Sequence, residues 1–570
     1  MTIHDRRTCG LTQQTNSNPW VRCHIAATVF GRGGLCRIGN SDRPDLIEGD
    51  KKGCAKVSRK VRLLAAITMV MICCSACLSS GLHGASPATP AVVATSQPSP
   101  TQEPLLTATL SATAAPSPTA TPSPTSLCLA TVTPPPTNQA ARSLRVVYID
   151  GGRLALWREE TGQISTLATT LEGGFLSPDG RLVAFWRSLD EERDEIWVVG
   201  TDGRGERRVA VSDGREIHER HPEFKSRTVL RMGWVPSTHT LWYCRAFDAF
   251  DTGVPPYGET VRLVDADGGA EPRVIVPPGD VWALAFAPNG RQVAALAQSE
   301  LRLIDTANAQ VTQAVSFATD STYRQEILYS PDSQQVLVYV RSGLAIVDVA
   351  NGQRRDIQLS YEPIGWSHRS TFPPISWPDD ATQAYAIVAQ GSNILDVQKP
   401  EAIFTVWRLD LSKGTATQLR SFTGMGTEAQ LSPDCHWLAF SRFVDQNTRE
   451  LYLADVETGK QLLYDRGDVS PRGWHSNSIQ FAYGGLTSPL RLGQLCGLPM
   501  HVGQAGADDL SDARSLFLIE GRDDFLIVGH GPGDTYLIEL STFNGQAKRI
   551  ANPNPRPASG DVWVGYFLSD

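Results

Sequence analysis

From residue 144 onward the apolar positions come in short alternating runs, each bounded by a cluster of turn residues. In GGFLSPDGRLVAFWRS (173–188), an apolar strand meets the turn Ser177-Pro178-Asp179-Gly180 and a second strand follows. Leu182, Ala184 and Trp186 fall on one side of that second strand, and Val183, Phe185 and Arg187 on the other. The turn has a physical reason. Pro presets φ, Asp tolerates the next bend, and Gly supplies the positive φ. The module returns as LAFAPNGRQVAALAQ (284–298), ILYSPDSQQVLVYVR (327–341) and AQLSPDCHWLAFSRF (429–443), with weaker copies at 232–245, 374–388 and 473–485. After each copy comes a strand, an Asp-containing turn and a strand, as in LRLIDTANAQVTQAV and ELYLADVETGKQLLY. A four-strand unit recurring every few tens of residues predicts an all-β, single β-propeller of four-stranded blades. Each blade buries its faces only against its neighbours, so no unit is stable alone.

These modules resemble the TolB-type propeller repeat, over residues 144–570. The resemblance implies a fold, and an exported protein with a protein partner in the envelope. A propeller hosts many functions, so function has to come from a site.

Full units begin near 172, 229, 280, 325, 362, 427, 470 and 513. Residues 144–168 read as three strands without an inner one, and Gly565-Tyr566-Phe567-Leu568-Ser569 mirrors GGFLSPD. The C-terminal strand is therefore expected to complete the first blade, which ties the termini together and removes sheet edges. Counted this way the units number nine. Seven- and eight-bladed rings are commoner, so we expect eight, within seven to nine, with 362–403 or 486–513 misdivided.

Residues 57–77 read VSRKVRLLAAITMVMICCSAC: a basic stretch, an apolar run and a small-residue end at Cys77. This resembles a bacterial lipoprotein signal, whose Cys is acylated and begins the mature chain. Cys73 and Cys74 are the runner-up anchors. The other reading is a plain signal anchor, but the apolar run of about 16 residues is short against the roughly 20 that a span needs. Residues 1–56 precede this signal; we read them as a start assigned too early, with Val57 first, the second reading being a cytosolic extension. Residues 78–143 are rich in Pro, Thr, Ser and Ala with almost no charge and no aromatics before the propeller. Such a composition forms no core and predicts a disordered tether.

The chain carries −8 overall. Residues 1–76 carry +7 (twelve Lys and Arg against five Asp and Glu), so the remainder carries −15. That argues against a nucleic-acid surface, and leaves the lipid anchor as the membrane contact. Past Cys77 stand Cys128, which has no obvious partner, and Cys244, Cys435 and Cys496; these three propeller cysteines give no disulfide framework.

No G-x-S-x-G elbow, H-E-x-x-H, P-loop or dinucleotide fingerprint occurs. No cofactor is expected. Asp265, Asp305, Asp348, Asp410 and Asp455 recur just past each third strand, where a side-chain oxygen closes a turn; a ring of cation ligands is the disfavoured alternative.

In a meandering blade, the first-to-second and third-to-fourth turns lie on one face and the other connections on the opposite face. Every long insertion here (187–194, 211–230, 245–259, 359–374, 389–403 and 443–449) is of the second class. That face is the candidate site. On it stand His218, Glu219 and His221, which are metal-capable though a solvated loop explains them as well. Phe247, Phe250 and Tyr257 are able to stack on a ligand or pin their own loop. Trp366, His368, Arg369 and Arg442 complete the set. Two functions follow. The first is a surface-anchored, monomeric, non-enzymatic scaffold that binds an envelope protein, peptide or glycan. The second is a glycan-active lyase or hydrolase with a metal held by His218, His221 and His368 in the axial cavity.

Overall fold

The computed structural model describes residues 142–569, apart from 191, 216–227, 248–259, 278–280, 298–299, 318–326, 341–342, 362–363, 367–368, 379–381, 392, 446–447, 486–489, 502–511, 520–521, 523, 531–535, 543–546 and 554–562. Among these residues are nine four-stranded antiparallel sheets, each a meander of consecutive strands. Blade 1 is made of Ser143–Asp150, Arg153–Arg158 and Ile164–Thr169, with Val564–Ser569 as its inner strand. Blades 2 to 9 occupy residues 173–213, 228–276, 281–316, 327–358, 375–423, 430–467, 471–501 and 512–551.

The expected closure is present. Val564–Ser569 pairs antiparallel with Ser143–Asp150, Tyr566 opposite Val146 and Leu568 opposite Leu144. The expected number of eight is corrected to nine. The stretch 362–403 misleads because an extra hairpin, Ile364–Trp366 with Arg369–Thr371, precedes the blade 6 inner strand Ile375–Ser376. A one-turn helix, Ile394–Val397, then sits between the second and third strands of that blade. The stretch 486–513 holds the two short outer strands of blade 8, Arg491–Gln494 and Met500–His501. The irregularities are a hairpin inserted between blades 5 and 6, a helix inserted within blade 6 and shortened strands in blade 8.

Nine clusters of buried side chains lie among the described residues, one at each junction of neighbouring blades. The alternation within Leu182–Ser188 is realised: Val183 and Phe185 join the cluster shared with blade 1, and Leu182, Ala184 and Trp186 the one shared with blade 3. Blades 9 and 1 share a cluster that includes Leu144, Val146, Leu526 and Ile538, so the ring has no weaker apolar junction at its seam. Arg522 adds charge there: it donates to Glu159 of blade 1 at 2.7 and 2.9 Å, and to the Arg142 carbonyl at 3.0 Å.

The repeated turn is a small hydrogen-bond device. Ser177 Oγ donates to Asp179 Oδ1 (2.7 Å) and accepts from the Leu182 N–H (2.9 Å), while Asp179 Oδ1 accepts from the Arg181 N–H (3.1 Å). Ser330 with Asp332 and Ser432 with Asp434 repeat it. Its last residue has positive φ in five blades, as Gly180, Gly290, Ser333, Cys435 and Ser478; in blade 3 the positive φ falls one place earlier, at Ser237. Neighbouring turns also join. The Asn289 N–H donates to Ser333 Oγ and the Asp434 N–H to Ser478 Oγ, both at 3.1 Å.

The recurring Asp residues close their turns as expected. Asp305, Asp348 and Asp455 each accept from two backbone N–H groups at 2.7–3.2 Å. The cysteines add a bond that the sequence left open. Cys244 and Cys435 are buried thiols, but Cys496 is disulfide-bonded. Counting only the cysteines within the blades hid this, because its partner lies outside the described residues.

Candidate functional site

Since all blades are antiparallel meanders, their connections alternate between two faces. On one face lie the turns at 177–181, 235–239, 287–291, 330–334, 432–436 and 475–479, with those closed by the recurring Asp residues. Seven connections on the other face span 214–227, 248–260, 317–326, 359–374, 390–402, 502–511 and 552–563. The sequence-predicted insertions all fall on this long-loop face.

His218, Glu219, His221, Phe250, Tyr257, His368 and Cys77 lie outside the described residues. Phe247 ends the strand Thr240–Phe247 and pairs with Thr228, so the loops carrying 218–221 and 250–257 are rooted side by side on blade 3. Beneath those roots Asp194 of blade 2 and Arg245 of blade 3 form an ion pair, both buried. Trp366 and Arg369 oppose each other in the hairpin before blade 6. Arg442 stands on blade 7. The described ones are thus distributed over blade 3, the hairpin before blade 6 and blade 7.

Arg442 is the best-defined of them. It lines an open cleft of about 420 Å³ with Pro400, Glu401 and Thr423 of blade 6 and Phe443, Val444 and Glu450 of blade 7. Glu450, 3% exposed, is its base. Glu450 Oε2 accepts from Arg442 Nη2 (2.5 Å) and from the Tyr452 hydroxyl (2.8 Å), and Oε1 pairs with Arg466. The Arg442 guanidinium also lies 5.0 Å over the Tyr452 ring. The Arg466 guanidinium, followed by burial working the other way and then by Arg442, sets the Glu450 carboxyl, which is held at about 2. A carboxylate ionised at every physiological pH and bound by two guanidiniums is no proton shuttle. It fixes Arg442 at the cleft wall, an arrangement suited to recognising anionic groups.

Next to it a second polar cluster reaches blade 8. Arg449 donates to Glu428 Oε2 (3.0 Å) and Ser470 Oγ (2.5 Å), and its guanidinium lies 4.7 Å over the Phe443 ring. Sequence reasoning missed Glu450, Tyr452, Glu428 and Arg449. A signal existed: Arg442 and Glu450 are cross-strand partners, and hairpin register places opposite charges together. Arg449 and Tyr452 share the Glu450 strand, whereas Glu428 comes from the connection before the inner strand of blade 7, which strand register does not relate to Arg449.

On the short-turn face a histidine bridges two carboxylates. His239 Nε2 lies 2.8 Å from Asp179 of blade 2, and Nδ1 3.0 Å from Asp267 of its own blade. Burial works against the charged imidazole, but bonds to Asp179 and Asp267 outweigh it and raise its pKa above 6.5.

No family model matches the chain, and no curated protein matches its sequence. Solved structures are similar in fold. A eukaryotic initiation factor aligns at 10% identity over 63% of this chain and 95% of its own, with a TM-score of 0.36. A putative 6-phosphogluconolactonase from Bacteroides fragilis aligns at 12% identity over 58% and 95%, with a TM-score of 0.31. The tricorn protease aligns at 10% identity over 73% and 58%, with a TM-score of 0.28.

Proposed function

We propose that this chain is a surface-anchored, non-enzymatic binding lipoprotein of the TolB-like kind. It is acylated at Cys77 and engages an envelope protein, peptide or glycan through its long-loop face. The observation that supports this most is the asymmetry of the connections: short self-satisfied turns on one face, long insertions on the other. Loops of that length are retained where they contact something, since each ordered residue costs conformational entropy. The pinned Arg442 supplies an anion-recognising group on the same face.

Affinity capture from envelope extracts with the full chain tests this. Shortening 245–259 to a Gly-Ser turn, or Arg442→Gln, is expected to lose the captured partner. Arg181→Gln, on the short-turn face, is expected to keep it. Capture that ignores both long-loop variants contradicts the reading.

A further inference from the structure

We infer that Cys496 is joined to Cys128, and that this disulfide binds the tether to the short-turn face of blade 8. Cys496 sits half-buried in the turn between Arg491–Gln494 and Met500–His501, a third-to-fourth-strand connection and therefore on the short-turn face. Its turn is tight, with the Leu495 N–H donating to the Ile479 carbonyl (3.0 Å) and the Gly497 N–H to the Gln494 carbonyl (3.2 Å). Gln494 stands where blades 4, 5 and 7 carry the turn-closing Asp305, Asp348 and Asp455, so this turn lacks their carboxylate.

Cys496 is disulfide-bonded, and the other two blade cysteines, Cys244 and Cys435, are thiols. The partner therefore lies in residues 1–141, where the cysteines are 9, 23, 36, 54, 73, 74, 77 and 128. Those at 9–54 precede the apolar segment and those at 73–77 lie within or at the end of it. Cys128 alone follows that segment toward the propeller, and with the segment read as an export signal it shares the propeller's compartment.

The path of the chain agrees. The first strand of the ring, Ser143–Asp150, starts at the short-turn face, because it is the second strand of its blade. The Arg142 carbonyl just before it accepts from Arg522 in the blade 9 turn, whose own carbonyl accepts from His475 Nε2 of blade 8 at 2.8 Å. Blade 8, blade 9 and the incoming chain are thus adjacent on one face. From Cys128 to Arg142 an extended chain reaches up to about 50 Å, ample for crossing one blade. Forming the bond removes two protons and two electrons from the thiols. They pass to an exchanging protein disulfide, whose mixed disulfide with one cysteine is then displaced by the other. The bond would also leave the long-loop face clear of the tether. That consequence, and the choice of Cys128 among the N-terminal cysteines, rest on the exported lipoprotein proposed above; the disulfide at Cys496 does not.

Peptide mapping of the full chain under non-reducing conditions tests the pairing, with alkylation of thiols and a melting curve. We expect one linked pair containing Cys128 and Cys496 that separates on reduction. Cys128→Ser and Cys496→Ser should each lower Tm by roughly 5 °C, and the double variant should lower it no further. A linkage to another cysteine, both thiols alkylated without reductant, or additive losses in the double variant would overturn it. If the pair is found while no partner is captured, the function proposed above fails and the disulfide stands.

Discussion

Gly180 shows how much a single turn position carries. Its φ is +73°, and a Cβ there would come within 2.5 Å of the Phe567 side chain on the closing strand. Gly180→Ala is expected to cost about 1–3 kcal/mol, read as a lower denaturation midpoint with an unchanged m-value. Cys435 adopts the same conformation at φ +59°, and burial pushes its thiol up to about 12. It should resist alkylation until the chain unfolds. His239 gives a pH dependence of fixed sign. Its folded pKa is raised, so its stabilisation is complete below 6.5 and is lost as pH rises through the folded value. Tm should therefore fall between mildly acidic and alkaline pH, and His239→Gln should flatten that part of the profile. A profile unchanged by the substitution would remove the bridge between Asp179 and Asp267 from the account.

At the scale of the element, each junction between blades is a small core of its own. Phe440 is fully buried, with its ring 5.2 Å from Phe404 of blade 6, 5.5 Å from Phe422 and 5.4 Å from Tyr452. Phe440→Ala is expected to cost about 3–5 kcal/mol by urea denaturation, and it would also withdraw the ring stacked on Tyr452 beneath Arg442. Elements were the most legible part of the sequence, because alternation and turn chemistry are local: Leu182–Ser188 and its Ser-Pro-Asp-Gly turn are readable from a dozen residues. The hairpin at 364–371 and the helix at 394–397 were not legible, since one stands between blades and the other between strands of a blade, and neither belongs to the repeated unit. The site was legible only in part. Arg442 was found beside an inserted loop, at the end of the strand Trp437–Phe443, while Arg466 and Glu428 reach its neighbourhood through pairings that no short window contains.

Over the whole molecule, the ring depends on its seam. Val564–Ser569 is the only inner strand supplied by a distant part of the sequence, and Arg522 bridges the same junction from the other blade. Truncation after residue 563 is expected to abolish cooperative unfolding, whereas Arg522→Ala should lower Tm and leave unfolding cooperative. The count of nine was present in the sequence but outweighed by the commonness of smaller rings; strand pairing decides it. The two faces of the ring differ in the length of their connections, and the chain enters on the short-turn face. The account therefore predicts that contacts with a partner concentrate on the opposite face. Cross-linking of the full chain in intact cells, followed by mass spectrometric mapping, measures this directly. Intermolecular cross-links gathered on the connections at 214–227, 248–260, 390–402 and 443–449 are the predicted result; cross-links gathered on the turns around Asp179, His239 and Asp434 would contradict it.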